Sequence, residues 1–379
     1  MKPINLHYYA ILVISLCIFT SCSKQSDQQL KTEETVTASA QKGIKNHPAI
    51  IYIESNDGNT NDIISYLQNP NGTLNYLASV ASGGNGSNAA LGSQGALQLS
   101  SDKNWLFAVN AGSNSISSFA IGPDGGLTLI STVSSNGFVP VSLTVHNDLL
   151  YVVNSATATI IGFTIGSNGS LTLINGSRQG LSSERATPAQ ISFTPNGDYL
   201  MVTEKVTNKI TRYPVNSSGV AGAGTSMASS NSTPFGFDFS HNYAIITEGG
   251  QGAANASTVS SYGVGANIVR CINHTEQTSA CRIVITNDGQ YAYVSNSGCN
   301  TISLLGLNEG GMVSTISAVC ATPGTAPTDL ILSNDESNLY VLNSMSHSIS
   351  EFKKKPNATI QNIGEINGLP PFAAGLVAL

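Results

Sequence analysis

The sequence has 379 residues, a formal net charge of −6, and charged residues at only 10% of its positions. This charged fraction is far below the roughly 25% of typical soluble domains, and the 37 glycines favour turns and short strands over helices. A hydrophobic content of 41% excludes general disorder, and the negative balance without a basic cluster argues against a nucleic-acid partner.

The first 46 residues are predicted to be a targeting segment and a tether. Residues 8–19 are apolar but too short for a comfortable membrane span, and "FTS" precedes Cys22. This pattern is similar to a bacterial lipoprotein signal, so we expect removal of residues 1–21 and lipidation of Cys22. An ordinary secretory signal is the alternative, and it also predicts export. Residues 22–46 are polar and aperiodic, which is typical of a flexible tether.

The lipid anchor predicts a location in the bacterial cell envelope, with the outer membrane as the expected membrane. An exported chain can form disulfides, and four cysteines remain after Cys17 and Cys22 are set aside. They allow three pairings, and we expect one or two disulfides, with free thiols as the alternative. No C-x-x-C spacing supports a metal site. The remaining cysteines are Cys271, Cys281, Cys299 and Cys320.

Residues 47–379 carry a repeat of about 47 residues, visible as an apolar strand, a polar turn, a strand ending in Asn or Glu, a loop, a third strand, a Gly turn and a last strand. Such a unit is a four-stranded antiparallel meander that cannot bury both faces alone. Packing the units around an axis buries them. Six full copies cover residues 96–132, 141–176, 189–220, 235–264, 281–317 and 328–364.

A seventh copy, residues 49–80, lacks its first strand, and the terminal "AAGLVAL" matches that missing strand. The sequence therefore predicts an all-β, seven-bladed β-propeller with four-stranded antiparallel blades, closed by a C-terminal strand that completes the first blade. A pair of β-sandwiches or a β-helix is the alternative, but neither predicts seven matching units with a divided first unit.

Two sets of positions are predicted to surround the mouth of the central channel, the default ligand site. The first closes the second strand of each unit and is polar in all seven. Its Asn members are also suited to capping loops, while its Glu members are less so. This set consists of Glu54, Asn110, Asn154, Glu204, Glu248, Asn296 and Asn343.

The second set precedes the first strand of each unit, and its reactive members are Gln190, Arg282 and Asp329. Arg282 and Asp329 lie in adjacent units and could simply pair. If they stay open, the Arg fork could hold a substrate carboxylate. Lys205 is expected on the same face. The sequence has no serine nucleophile elbow, metal-ligand cluster or phosphate loop, so no cofactor is predicted.

The repeat resembles the β-propeller lactonase family, which groups bacterial 6-phosphogluconolactonases with 3-carboxymuconate cyclases. The resemblance rests on "GSQGALQLSSDKNWLFAVNAGSNSISSF", "PAQISFTPNGDYLMVTEKVTNKI" and "PTDLILSNDESNLYVLN". It implies a histidine just before the first strand of a middle blade, where this chain has Gln190. It also implies an acidic residue at the position of Glu204, which is present.

Two classes of function follow. In the first, Glu204 or Glu248 activates water and Arg282, with Lys205, holds the developing oxyanion of a lactone. In the second, the chain is a non-enzymatic propeller that binds envelope glycans, peptides or proteins through its mouth loops. A redox-cofactor propeller is a further class that no motif favours. The expected partners are a small-molecule lactone or an envelope component, and the membrane through the anchor.

Overall fold

The computed structural model describes residues 49–265 and 268–379, and the predicted signal peptide, Cys22 and tether lie outside these ranges. The described chain is built from 29 strands and one 3₁₀ turn, Gly250–Gly252. In that part of the chain, no helix has the length and apolarity needed to cross a bilayer.

The strands form seven antiparallel sheets, as predicted, and each sheet is one blade. In order from the inner to the outer strand, blade 1 contains β29 (Ala374–Ala378), β1 (Ile50–Glu54), β2 (Asp62–Gln68) and β3 (Leu74–Ala81); blade 2 contains β4 (Leu97–Leu99), β5 (Trp105–Asn110), β6 (Ser115–Ile121) and β7 (Leu127–Ser134); blade 3 contains β8 (Pro140–His146), β9 (Leu149–Asn154), β10 (Thr159–Ile165) and β11 (Leu171–Leu173), with β12 (Gln179–Gly180) also on β10; blade 4 contains β13 (Pro188–Phe193), β14 (Tyr199–Glu204), β15 (Lys209–Pro214) and β16 (Thr225–Ala228).

The remaining blades repeat this order without interruption. Blade 5 contains β17 (Pro234–Ser240), β18 (Tyr243–Glu248), β19 (Thr258–Gly263) and β20 (Val269–His274); blade 6 contains β21 (Ala280–Ile285), β22 (Tyr291–Asn296), β23 (Thr301–Leu307) and β24 (Val313–Ala321); blade 7 contains β25 (Pro327–Leu332), β26 (Asn338–Asn343), β27 (Ser348–Lys354) and β28 (Ile360–Asn367).

The C-terminal strand closes the ring, which confirms the prediction. β29 pairs antiparallel with β1, and Ile51 faces Ala378 while Tyr52 faces Val377. Pairing satisfies backbone groups that a lone terminal strand would leave open. Leu376 is buried in a core cluster shared by blades 1 and 7, so the last strand also joins the two ends of the chain through apolar packing.

Among the described residues, buried tyrosines on second strands connect neighbouring blades at four places. A tyrosine on the second strand donates its hydroxyl to a backbone carbonyl in the outer hairpin turn of the next blade. Because each ring is fully buried, each hydroxyl needs such an acceptor. The bonds are Tyr52 to Gly125 at 2.5 Å, Tyr151 to Gly219 at 2.7 Å, Tyr293 to Ala358 at 2.6 Å, and Tyr340 to Gly72 at 2.8 Å across the ring closure.

The chain enters most inner strands through a sharp turn followed by a β-bulge. Thr187 and Ala326 have positive φ values of 49° and 54°, and each precedes a proline that begins the strand. One step further on, the pairing slips by a residue, so Ala189 and Thr328 occupy the bulges and Gln190 and Asp329 are the next paired residues. Positive φ costs energy at any residue with a Cβ, and most at the β-branched Thr187, so these entries are strained features that packing maintains. The bulges re-aim the side chains toward the axis.

Candidate functional site

A segment between blades 1 and 2 crosses the axis of the ring. We call Gly92–Gly95 the axial strap. The Ser93 hydroxyl donates to Val141 in blade 3 at 2.7 Å, and the Gln94 backbone N–H donates to Ala189 in blade 4 at 3.0 Å. The Gln94 side-chain amide donates to Ile283 in blade 6 at 3.0 Å. The strap is therefore held by three blades.

A pocket of about 200 Å³ lies at one end of the central channel. Its walls come from the strap and the residues before it, from the inner strands of blades 5, 6 and 7, from the end of β26 and its loop, and from the start of β29 with the segment that leads into it. Most of the wall is apolar, with few polar groups. The lining residues are Ala90, Leu91, Gly92, Phe235, Cys281, Arg282, Thr328, Asp329, Leu342, Ser344, Pro371, Phe372, Ala373, Ala374 and Gly375.

Arg282 is the main cation of this pocket. Its side chain is 6% exposed, and its Nη1 lies 3.4 Å from Oδ2 of Asp329, so the two residues pair across adjacent blades. Its guanidinium also lies over the Phe235 ring, 5.5 Å from the ring centre. Nevertheless Nε and Nη1 have no hydrogen-bond partner in the structure. Buried guanidinium donors without partners are costly, so they are suited to donate hydrogen bonds to a ligand oxygen.

Lys205 brings a second cation to the same ring. Its Nζ lies 5.1 Å from the centre of the Phe235 ring and donates to the Gly92 carbonyl of the strap. Burial and, to a smaller extent, the nearby charge of Arg282 together lower the pKa of Lys205 to about 8, while Cys281 acts in the opposite direction. The ammonium is therefore close to titration in the neutral range, unlike an exposed lysine.

Asp329 is the carboxylate of the pocket. Burial raises the pKa of Asp329 to about 6, although the Arg282 charge and a hydrogen bond from the Leu330 N–H act in the opposite direction. The carboxylate also lines a second cavity of about 240 Å³ deeper in the channel, on the other side of Gln94. A buried carboxylate with a pKa near 6 beside an arginine is typical of catalytic sites.

The model of a known protein family matches this chain over residues 59–182, 146–264 and 265–365, and its description is "Lactonase, 7-bladed beta-propeller". The chain belongs to the seven-bladed β-propeller lactonase family. A search of curated protein sequences returns no match.

Solved structures agree with this family fold. A protein from Bacteroides uniformis, provisionally assigned as a 6-phosphogluconolactonase, is 20% identical, with a TM-score of 0.69 over 87% of this chain and 99% of its own. The periplasmic gluconolactonase of Pseudomonas aeruginosa is 16% identical, with a TM-score of 0.70 over 88% of this chain and 99% of its own. At these identities the similarity shows the fold alone.

The glutamates of this lactonase-family chain that the sequence analysis proposed as catalytic are fully buried between strands and loops. Glu204 accepts hydrogen bonds from the Ser182 backbone N–H, the Ser182 hydroxyl, the Thr207 hydroxyl and the Thr211 hydroxyl. Both of its oxygens are occupied by the protein itself. Glu204 does not line the pocket, so its placement favours the capping alternative over a catalytic role.

Glu248 is held in the same way. It accepts hydrogen bonds from the Ser230 N–H and from the hydroxyls of Thr258, Ser260 and Tyr262, at 2.5 to 2.9 Å. None of the hydrogen bonds described for Glu248 or Glu204 involves Arg282, so the three predicted catalytic residues do not form one cluster within the described residues. Asp329 is the carboxylate that the structure brings to Arg282.

The asparagines at the matching positions are also buried and form caps. In three of them the side-chain amide donates to two hydroxyls of the following strand. These bonds run from Asn110 to Ser115 and Ser117, from Asn296 to Thr301 and Ser303, and from Asn343 to Ser348 and Ser350. Asn154 instead donates to the Ser135 carbonyl at 3.3 Å. The set stabilises loops and does not present a polar ring to a ligand.

Gln190 is an interblade clamp. Its amide donates to the Phe237 carbonyl at 2.9 Å and its oxygen accepts from the Phe237 N–H at 2.7 Å. Gln190, Arg282 and Asp329 also lie within their strands, not before them as predicted, because the bulges add a residue to each strand entry. Gln190 lines the deeper cavity and not the pocket of Arg282.

The four described cysteines are free, so the expected disulfides do not form in this structure. Three lie on strands of blades 5 and 6 and Cys299 lies in the loop after β22. Within residues 49–265 and 268–379, no group of three or more His, Cys, Asp or Glu is arranged to hold a metal ion. Phe235 and the strap carry no local sequence signal, because their approach to the pocket depends on contacts between distant blades.

Proposed function

We propose that this chain hydrolyses small lactones in the pocket of Arg282. The carrying observation is that unpartnered guanidinium donors and a carboxylate line one mostly apolar cavity, with the titratable Lys205 packed against the Phe235 ring of its wall. The volume of about 200 Å³ lies below the range for drug-sized ligands, which favours a single small ring. Membership of the lactonase family supports the reaction class.

The mechanism assigns one task to each charged residue. The lactone carbonyl oxygen accepts hydrogen bonds from Arg282 and lies near Lys205, so the oxyanion that forms when water attacks is stabilised. Ionised Asp329 takes the proton of the attacking water. The ring C–O bond then breaks, and the leaving oxygen receives the proton that Asp329 took from the water, which gives the hydroxy acid and restores the ionised carboxylate. The apolar wall excludes bulk water and strengthens these interactions.

The test is hydrolysis of a panel of γ- and δ-lactones by the full chain and by Arg282→Gln and Asp329→Asn. Each substitution is expected to lower kcat/KM by about 100-fold or more, the usual effect of losing an oxyanion donor or base. Arg212→Gln is the matched control, because Arg212 stacks on Tyr199 at 4.5 Å in blade 4 and lies outside the pocket. Equal losses in all three variants, or no hydrolysis by the unaltered chain, would reject the proposal.

Muconate-lactone cyclisation is an alternative reaction to lactone hydrolysis within the same family. It would use the same carboxylate to move a proton beside a substrate carboxylate held by Arg282. Incubation with a carboxymuconate separates the reactions: lactone formation without hydrolysis of sugar lactones would replace the hydrolase assignment.

A non-enzymatic binding function is a second candidate, and exposed apolar side chains favour it. Phe138, Val206 and Met345 are 60%, 62% and 72% exposed, and all three lie in loops that follow a second or a last strand of a blade. Saturable binding of an envelope component that persists in Arg282→Gln but is lost in Val206→Ser with Met345→Ser would support this function.

We also propose export and lipidation at Cys22, on the sequence pattern of residues 1–22. Radiolabelled palmitate should be incorporated into the expressed chain, which should appear in the membrane fraction. Cys22→Ser should abolish both results. Labelling that persists in Cys22→Ser would place the lipid elsewhere.

A further inference from the structure

Cys281 shares the pocket with Arg282 and stands next to it in the chain. It is half-buried, lines the cavity and occupies the bulge between the paired residues Ala280 and Arg282. Its Sγ lies 3.1 Å from the Ser279 carbonyl and 3.1 Å from the Ser297 hydroxyl. The thiol therefore has one acceptor for its proton and one hydroxyl that can donate to a thiolate.

The charges around Cys281 favour negative species. The neighbouring Arg282 guanidinium has two nitrogens without hydrogen-bond partners, and its side chain is only 6% exposed. Lys205 is near enough that a negative charge on Cys281 raises its pKa. Asp329, paired with Arg282, is the opposing charge at the site. Two cations against one carboxylate leave room for one further anion.

We propose that Cys281 is a modification site whose thiol reacts with small peroxides and with small anionic electrophiles, under the direction of Arg282 and Lys205. With hydrogen peroxide, the thiolate sulfur attacks one oxygen, an S–O bond forms as the O–O bond breaks, and sulfur loses two electrons to the departing oxygen. The products are a sulfenic acid and hydroxide, which takes a proton to become water. The added oxygen occupies the pocket beside the free guanidinium donors and blocks ligand entry.

The other cysteines provide matched controls. Cys271 is also half-buried, but its Sγ hydrogen-bonds with the Val313 backbone and packs against an apolar cluster between blades 5 and 6, away from Arg282 and Lys205. Burial raises the pKa of Cys320 to about 12, so its thiolate is rare at neutral pH. Neither residue lines the pocket.

The first experiment labels the native full chain with iodoacetate, which is anionic, and with iodoacetamide, which is neutral, and maps the sites by mass spectrometry. The iodoacetate-to-iodoacetamide rate ratio at Cys281 is expected to exceed that at Cys271 by about tenfold, because cations attract the anionic reagent. Arg282→Gln, or Lys205→Gln if the first variant unfolds, should bring the two ratios together. Equal ratios in the unaltered chain would overturn the proposal, as would a preference that survives both substitutions.

The second experiment treats the chain with hydrogen peroxide and traps sulfenic acid with dimedone. Dimedone should attach at Cys281 and not at Cys271, and dithiothreitol added before dimedone should prevent it. Attachment at Cys271 alone would refute the assignment. The expectation that oxidised Cys281 blocks ligand entry rests on the proposed lactonase activity, and each variant is compared with its own untreated sample. Labelling of Cys281 does not need that activity. An inactive chain that is still labelled at Cys281 therefore rejects the lactonase proposal and supports Cys281 as a modification site.

Discussion

Lys205 and Asp329 have pKa values on either side of neutral pH, about 8 and about 6. Both shifts have burial as their largest cause, and burial acts in opposite directions on a cation and on an acid. Between these values the lysine is protonated and the aspartate is ionised. This is the charge state that the proposed hydrolysis requires.

The first prediction is therefore a bell-shaped pH profile. Lactone hydrolysis should rise as the pH passes about 6, because Asp329 must be ionised to act as a base, and should fall as it passes about 8, because Lys205 loses its charge. Lys205→Arg keeps a cation through this range. In initial-rate measurements of kcat/KM, that variant should lose the falling limb only. If the falling limb of Lys205→Arg stays at the same pH, a group other than Lys205 causes it.

The second prediction concerns Glu54, which occupies the ring position held by asparagine in four other blades. It is fully buried, its Oε1 has no hydrogen-bond partner, and burial raises its pKa well above the usual value. Folding therefore takes up a proton here. The stability that this protonation provides is complete below the pKa of the unfolded chain and is lost as pH rises toward the higher folded value.

Glu54→Gln removes this pH dependence while keeping the volume. At pH 7 the free energy of unfolding of the variant should exceed that of the unaltered chain by about 1 kcal/mol or more, which raises its unfolding temperature. The difference should shrink at pH 4. Thermal unfolding at both pH values measures it. The exposed Glu184→Gln is the control and should show no such change. A gain that is larger at pH 4 would contradict the sign of the shift.

At the scale of the strand, β14 and its loop depend on Glu204 as a shared acceptor. Removing its carboxylate leaves the Ser182 N–H and the hydroxyls of Thr207 and Thr211 without their acceptor. Unsatisfied buried donors cost about 1–3 kcal/mol each, although water entering the gap recovers part of the loss.

Glu204→Ala is therefore expected to destabilise the chain by about 3 kcal/mol, with Glu184→Ala as the exposed control. The activity of the folded fraction, measured well below the unfolding temperature, should change much less than in Asp329→Asn. A variant of unchanged unfolding temperature that has lost hydrolysis would instead restore Glu204 as a catalytic residue.

At the scale of the whole molecule, the ring depends on packing between the first and last blades. Leu376 on β29 is 5% exposed and belongs to the cluster that joins Ile51 of blade 1 to Tyr340 and Leu342 of blade 7. The Tyr340 hydroxyl adds a hydrogen bond to Gly72 across the same junction. Loss of a large side chain here leaves a cavity at the seam.

Leu376→Ala is expected to cost about 2–5 kcal/mol, the usual range for a buried leucine. Ile316→Ala is the control on the outer strand β24, because Ile316 is 53% exposed and should change stability by about 0.5 kcal/mol or less. Denaturant or thermal unfolding followed by circular dichroism measures both. Similar effects of the two substitutions would show that the seam does not limit stability.

The blades and the closure of the ring could be predicted from the sequence because their signals are local. Each meander repeats its own apolar strands and turn residues, and the missing first strand of residues 49–80 reappears in "AAGLVAL". The family resemblance follows from the same repeats. Pattern alone also identified Arg282 and Asp329 as neighbours on adjacent blades, and they pair at 3.4 Å.

Only the tertiary structure decided which polar side chains keep hydrogen-bonding groups free for a ligand. Glu204 and Arg282 both lie near strand ends on the same face, but hydroxyls of its own blade surround Glu204, while two nitrogens of Arg282 have no hydrogen-bond partner. The strap, whose Gln94 reaches Ile283 over a separation of 189 residues, could not be inferred from local pattern. Repeats determine the blades through short-range periodicity, whereas the pocket forms where segments distant in the chain converge on the axis.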